Sequence, residues 1–155
     1  MLSVLKKCIF VAPPISQFMN YATTNKLTIL YVDDDSDDCM FLRTSMEDAG
    51  HKANLICAND GEEAVNYLNS VTSDALPSLI VLDLNMPRWD GRRTLNYLKS
   101  QPHLASIPVV ILSTSDNNRE KEACRQMGAA SYHVKPYKYD DYKGIVANMF
   151  SVIKD

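Results

Sequence analysis

The chain has 155 residues, 46% of them hydrophobic and 23% charged, with a net charge of −3. That is the length of one domain with enough apolar residues for a core, and an ordinary globular composition. The acidic balance lacks the overall basic footprint of a nucleic-acid binder, and no apolar run approaches the roughly 18–20 residues needed to cross a bilayer.

The N-terminal stretch MLSVLKKCIFVAPPISQFMNYA places Lys6 and Lys7 ahead of the apolar run CIFVA. That run is shorter than the ~7–15 residues of a signal-peptide core, and Pro13-Pro14 ends it at once. Residues 1–26 read as a disordered extension or an over-long gene start, with Met19 as an alternative initiation site. The four cysteines, Cys8, Cys39, Cys57 and Cys124, are widely spaced and form no C-x-x-C pair. They read as small core hydrophobes or surface thiols suited to a reducing cytosol, not as a zinc or redox motif.

From Leu27 the pattern becomes regular. LTILYV (27–32) is short, apolar and β-branched, and predicts a buried strand. DDDSDD breaks it. Cys39, Leu42, Met46 and Ala49 then recur at helical spacing over 37–49, with Asp35 or Ser36 to cap the helix and Gly50 to close it. ANLICA (53–58) predicts a second strand, and residues 60–70 a helix with Asp60 near its N-cap. Pro77 precedes a third strand, SLIVL (78–82), and residues 90–100 form a third helix stopped by Pro102. IPVVIL (107–112), a polar helix over 116–127 ending at Gly128, and ASYHV (130–134) follow. The last helix, 139–153, carries Tyr142, Ile145, Val146, Met149, Phe150 and Ile153 on one stripe. Five strand–helix units, with strands buried on both faces, predict an α/β fold: an open, doubly wound parallel sheet with right-handed crossovers. An eight-fold barrel needs far more chain.

In such a sheet, ligands bind beyond the carboxyl ends of the strands. There the sequence places Asp33, Asp34 and Asp35 after strand one, and Asn59 and Asp60 after strand two. Asp83 and Asn85 follow strand three, Ser113, Thr114 and Ser115 follow strand four, and Lys135-Pro136 follows strand five. Carboxylates crowded on one edge raise each other's pKa unless a cation intervenes. Two or three carboxylates, a backbone carbonyl and water make a hard oxygen site suited to Mg²⁺. One lysine beside it would balance a phosphoryl group, and a hydroxyl could bind a second phosphoryl oxygen. A carboxylate can itself be the nucleophile, giving an acyl phosphate. This accounts for Asp83, a carboxylate at the tip of a hydrophobic strand, where it is costly unless paired. The strand register leaves Ser113 and Thr114 as alternatives for the hydroxyl.

YVDDD, LDLNMPRWDG, ILSTS and HVKP, in this order at the ends of successive strands, resemble the signature of the receiver domain of bacterial response regulators over roughly residues 27–155. The resemblance implies a flavodoxin-like five-stranded sheet of order 2-1-3-4-5 with five helices. It implies that Asp83 is the phospho-acceptor and that Asp33 and Asp34 form the acidic pair, Asp34 being the more direct metal ligand. The Asn85 backbone carbonyl would complete, with Asp83, the protein's share of the Mg²⁺ shell. It favours Ser113 as the hydroxyl, makes Lys135 the lysine, pairs Ser113 with Tyr132 as a switch, and implies a cis Lys135–Pro136 bond. The function implied is a stand-alone, cytoplasmic response regulator, a signalling domain and not a metabolic enzyme. It would take a phosphoryl group from a histidine kinase or histidine phosphotransfer protein and act on a downstream protein or as a homodimer, with no nucleic acid and no membrane as partner.

Other residues carry plainer readings. Asp35, Asp37 and Asp38 read as solvent-facing or capping groups. Asn85 and Ser115 lie two positions past the nucleophile and the hydroxyl, where they would tune attack by water or simply be polar loop residues. Trp89 is a partner anchor or a partly buried loop residue, and His51, His103 and His133 read as structural. Two other functions compete. One is a phosphate-independent receiver-like binding module. The other is a small phosphatase with an aspartyl nucleophile, but DDD follows strand one where haloacid dehalogenase-type enzymes resemble DxDxT, and no cap is available.

Overall fold

A computed structural model describes residues 27–153. The reading of residues 1–26 as an extension lies outside the described residues. Five strands, β1 (Thr28–Val32), β2 (Asn54–Ala58), β3 (Leu79–Leu82), β4 (Val109–Ser113) and β5 (Ser131–Val134), form one parallel sheet in the order β2-β1-β3-β4-β5. Five helices alternate with them: α1 (Ser36–Asp48), α2 (Gly61–Ser70), α3 (Gly91–Ser100), α4 (Asn118–Gln126) and α5 (Tyr142–Ser151). This is the flavodoxin-like order that the sequence resemblance implies.

The strand period of two sorts the core into two layers. Leu30, Val32, Ile80, Leu82, Val109 and Ile111 face α2, α3 and α4, meeting Ala64, Leu68, Leu95, Leu98 and Cys124. Ile29, Tyr31, Leu79, Val81, Val110 and Leu112 face α1 and α5, meeting Leu42, Met46, Tyr142, Ile145, Val146 and Met149. Burying each large aliphatic side chain contributes about 1.5–3 kcal/mol, so the two layers together hold the sheet between its helices.

Helix boundaries follow local chemistry. Asp35, Asp60, Asp90 and Asn117 cap α1 to α4 by accepting backbone N–H groups from Asp37, Glu63, Arg93 and Arg119 at 2.8–2.9 Å. Of the two candidates for the α1 cap, Asp35 is the one used. The stripe predicted over 139–153 begins later than its periodicity indicates: Tyr139–Asp141 is a tighter 3₁₀ turn and α5 proper starts at Tyr142.

Two expectations are corrected here. Cys39 in the first turn of α1 and Cys57 near the end of β2 are joined by a disulfide, with Cα atoms 6.6 Å apart, and are not free thiols; among the described residues only Cys124 is free, and it is buried. The 18-residue separation hides this proximity, because the β1–β2 pairing and the crossover through α1 create it. The Lys135–Pro136 bond is trans, since the described residues contain no cis peptide. An X-Pro bond prefers trans by only about 0.5–1 kcal/mol, so the surrounding loop decides the isomer and the dipeptide does not. No helix among the described residues is long and apolar enough to cross a membrane.

Gly91 starts α3 hard against the end of β3. A Cβ there would lie 2.1 Å from the Asp83 carbonyl oxygen and 2.6 Å from the Leu84 Cα. Gly91→Ala is expected to lower unfolding free energy by about 2–3 kcal/mol, because backbone and not a pliable side chain must move. Urea unfolding measures this directly.

Candidate functional site

The sheet register aligns the residues that follow the strands. Val32 pairs with Leu82 across β1 and β3, so Asp33 and Asp83 emerge side by side. Both keep their backbones in the ladder: Asp33 N–H donates to the Ala58 carbonyl at 3.0 Å, and Asp83 N–H to the Val32 carbonyl at 2.9 Å. Ser113 pairs with Val134 across β4 and β5, and the Lys135 N–H then donates to the Ser113 carbonyl at 2.7 Å. The strand order reverses between β1 and β3, so this edge is the topological switch point.

Lys135 sits at the centre. Its ammonium donates to Asp33 Oδ2 at 2.6 Å and Asp38 Oδ2 at 2.7 Å, and lies 3.5 Å from Asp83 Oδ2. Burial alone would lower the lysine's pKa; the hydrogen bonds to Asp33 and Asp38 and the charges of Asp33 and Asp83 outweigh it and hold the group above the ordinary lysine range. Asp33 is buried: its Oδ2 also accepts the Tyr31 hydroxyl at 2.5 Å, and its Oδ1 accepts the Asp35 N–H at 2.9 Å. Burial, and then the Asp33 charge, raises the Tyr31 hydroxyl far above its ordinary pKa, so it serves only as a neutral donor.

Asp83 is 4% exposed. Its Oδ1 accepts the Asn85 N–H at 3.3 Å. Burial pushes its pKa up to about 6; Lys135 opposes the rise, Asp33 adds to it, and the backbone N–H groups of Asn85 and Leu84 oppose it. Asp34 is exposed at the rim. One carboxylate oxygen from each of Asp33, Asp34 and Asp83 lies within 4.8 Å of the others. Such a set suits a hard divalent cation, which offsets the repulsion among the three groups. The same negative field reaches α5: burial and the charges of Asp38, Asp33 and Asp35 push the Tyr142 hydroxyl up to about 12 against the pull of Lys135.

Between the two hydroxyls left open by the sequence, Ser113 is fully buried while Thr114 faces solvent. Ser113 Oγ accepts the Ser115 N–H at 3.3 Å. Tyr132 is half-buried, with its hydroxyl 2.9 Å from both the Ser115 carbonyl and Glu120 Oε1. Asn85 is exposed. Trp89 packs edge-on to Tyr97 at 5.6 Å, and the Arg93 guanidinium lies 3.9 Å from its ring centroid. His51 stacks on Phe150, His103 lies 3.4 Å from Asn69, and His133 lies 2.8 Å from Asn148, all away from the acidic edge.

Sequence reasoning passed over Tyr31 and read Asp38 as a solvent-facing or capping group; the structure corrects this, since Asp38 is partly buried and pairs with Lys135 while Asp35 is the cap. Asp38 stands in the first turn of α1, just after the acidic pair, and that nearness was the available signal. Tyr31 is a phenol in an otherwise aliphatic strand, two residues from Asp33 and therefore on the same face.

A parallel sheet of order 2-1-3-4-5 with two acids after β1, an acid after β3, a serine ending β4 and a lysine after β5 defines a receiver domain of a two-component signalling system. The family described as response regulator receiver domain matches residues 29–147, and the chain belongs to it. It is similar to response regulator Rcp1 of Synechocystis sp. (strain ATCC 27184 / PCC 6803 / Kazusa), with 33% identity over 73% of this chain and 79% of that one. The solved Mn²⁺-bound form of Rcp1 superposes with a TM-score of 0.72 at 31% identity, covering 81% of this chain and 93% of that one. The phosphorylated cyanobacterial phytochrome response regulator RcpA superposes with a TM-score of 0.73 at 30% identity, over 83% and 94%.

The raised pKa of Asp83 has a consequence for stability. A carboxyl whose folded pKa exceeds its unfolded value stabilises the fold while protonated, below about pH 4, and that contribution is lost as pH rises through about 6. In the presence of a chelator, Asp83→Asn is expected to raise unfolding free energy at pH 7.5 by about 1–3 kcal/mol. The gain should shrink toward zero below pH 4–5, as read from urea unfolding across pH.

Proposed function

We propose that the chain accepts a phosphoryl group on Asp83 from a histidine kinase or a histidine phosphotransfer protein and so switches a protein-binding face. The observation that carries this is the convergence of Lys135 with Asp33 and Asp83 at the switch point of the sheet. With a pKa near 6, Asp83 is mostly ionised at neutral pH. Its oxygen attacks the phosphorus of a phosphohistidine, the P–N bond breaks, and the imidazole leaves with the bond's electrons while an acyl phosphate remains on Asp83. Lys135 pairs with one phosphoryl oxygen and the Ser113 hydroxyl donates to another. Water later attacks the phosphorus and releases inorganic phosphate, with Asn85 and Ser115 at the mouth of its approach.

Asp33, Asp34, Asp83 and the Asn85 backbone carbonyl would hold Mg²⁺. Bound there, the ion supplies positive charge to the phosphoryl oxygens in transfer. That Rcp1 has been solved in a Mn²⁺-bound form supports binding of a divalent ion, and the solved phosphorylated form of RcpA supports the modification.

The readout lies on the β4–β5 side. When Ser113 turns to the phosphoryl group it leaves the Ser115 N–H. The loop carrying Ser115 then moves, and Tyr132, tied to Ser115 and Glu120, moves with it. The altered face is read by a downstream protein or a second copy of the chain. Residues 27–155 form the receiver domain in this reading, working in the cytoplasm as a signalling module and not as a metabolic enzyme.

Incubation with Mg²⁺ and acetyl phosphate, followed by intact mass, is expected to show one added phosphoryl group. It should be absent in Asp83→Asn and absent when chelator is added first. A folded wild-type chain that gains no mass, from acetyl phosphate or from a cognate phosphodonor protein, would overturn the proposal.

A further inference from the structure

We infer that Asp38 is a positioning residue that competes with the acceptor for Lys135 and so limits how readily the site is phosphorylated. The inference rests on the reading of Asp83 as the phospho-acceptor and assigns a rate-setting role to a residue outside the acceptor, acidic-pair and lysine set.

An ammonium has three N–H donors and no acceptor. In Lys135 two of them are engaged at charge-assisted distances, 2.6 Å to Asp33 and 2.7 Å to Asp38, while Asp83 stands off at 3.5 Å. The lysine is thus held on the β1–α1 side of the pocket and away from the acceptor. Asp33 and Asp38 differ in what else they do. Asp33 also accepts from Tyr31 and from the Asp35 N–H, so its orientation does not depend on the lysine. Asp38 is hydrogen-bonded to Lys135, and it rides on the first turn of α1. That turn is capped by Asp35 and tied to β2 through the neighbouring Cys39–Cys57 disulfide. The backbone of that turn is thereby restrained while the lysine moves toward a phosphoryl group.

Two effects then act in the same direction. Lys135 must loosen its contact with Asp38 to pair with a phosphoryl oxygen on Asp83. The Asp38 charge, only 19% exposed at its side chain, also repels an incoming phosphoryl dianion in a poorly screened pocket. Both favour the unphosphorylated state, and both disappear when the charge is removed with the shape kept.

The test compares wild type with Asp38→Asn and Asp38→Glu. Phosphorylation by sub-saturating acetyl phosphate in Mg²⁺ is followed by intact mass. Asp38→Asn should be phosphorylated roughly three- to ten-fold faster, the scale of one partly screened charge contact, and Asp38→Glu should return toward wild type. A readout without metal or phosphate isolates the contact itself. Urea midpoints of Asp38→Asn, Lys135→Ala and the double variant, measured in chelator, should be non-additive. An Asp38→Asn protein that is folded but no faster than wild type overturns the inference. Additive midpoints overturn it too, since Asp38 would then act without Lys135. A wild-type chain that takes no phosphoryl group from any donor removes the underlying reading as well. A phosphorylated wild type with an indifferent Asp38→Asn removes this inference alone.

Discussion

One ammonium among buried carboxylates is the constraint on which this site depends. Asp33 and Asp83 are almost wholly removed from water at adjacent strand ends, and two ionised groups so placed would each raise the other's pKa and weaken the fold. Lys135 offsets this for Asp33 at hydrogen-bond distance and for Asp83 only at 3.5 Å. Burial pushes the Asp83 carboxyl up to about 6, and at that distance the lysine opposes the rise without cancelling it. Asp83 is thus the buried carboxylate of the pair that the lysine compensates less. Asp33 is held by three donors, Lys135, Tyr31 and the Asp35 N–H.

The lysine can do this only because of the sheet order. Lys135 and Asp33 are 102 residues apart in sequence, and they meet across the ends of the intervening β3 and β4 because every strand points the same way and the long lysine side chain spans the gap. Parallel strands deliver all their carboxyl ends to one edge. The hydrophobic interior is therefore not separate from the chemistry: the apolar layers on both faces fix the strand register, and the register fixes which polar residue stands beside which. Gly91 belongs to this scheme, since a side chain there would push α3 off the Asp83 carbonyl and shift Asp83.

On the far side of the pocket the arrangement is looser and more polar. Ser113 is buried but makes a long 3.3 Å contact, and Tyr132 shares its hydroxyl between a loop carbonyl and Glu120 on α4. β5 is only half-buried along its length, unlike β3 and β4. The site thus has a closely hydrogen-bonded half that holds the acids and a less constrained half that carries the hydroxyl and the aromatic residue.

The sequence by itself determined the strand–helix alternation, the parallel sheet and the residues at its edge. These rest on local physics: the period of two in buried strands, the period of 3.6 in amphipathic helices, and acids and glycines at helix ends. Asp33, Asp34, Asp83, Ser113 and Lys135 were legible because each directly ends or follows a strand, so chain position alone gives its place. Only the tertiary structure decided what depends on distances across the chain. Asp38, which alone looks like a capping acid, meets Lys135 from 97 residues away. Tyr31 became a donor to Asp33, Cys39 and Cys57 became a covalent pair, and the Lys135–Pro136 bond is trans. Periodicity says which face a residue occupies. It does not say which residue of another element will stand opposite, because register and helix placement are set by packing of the whole core.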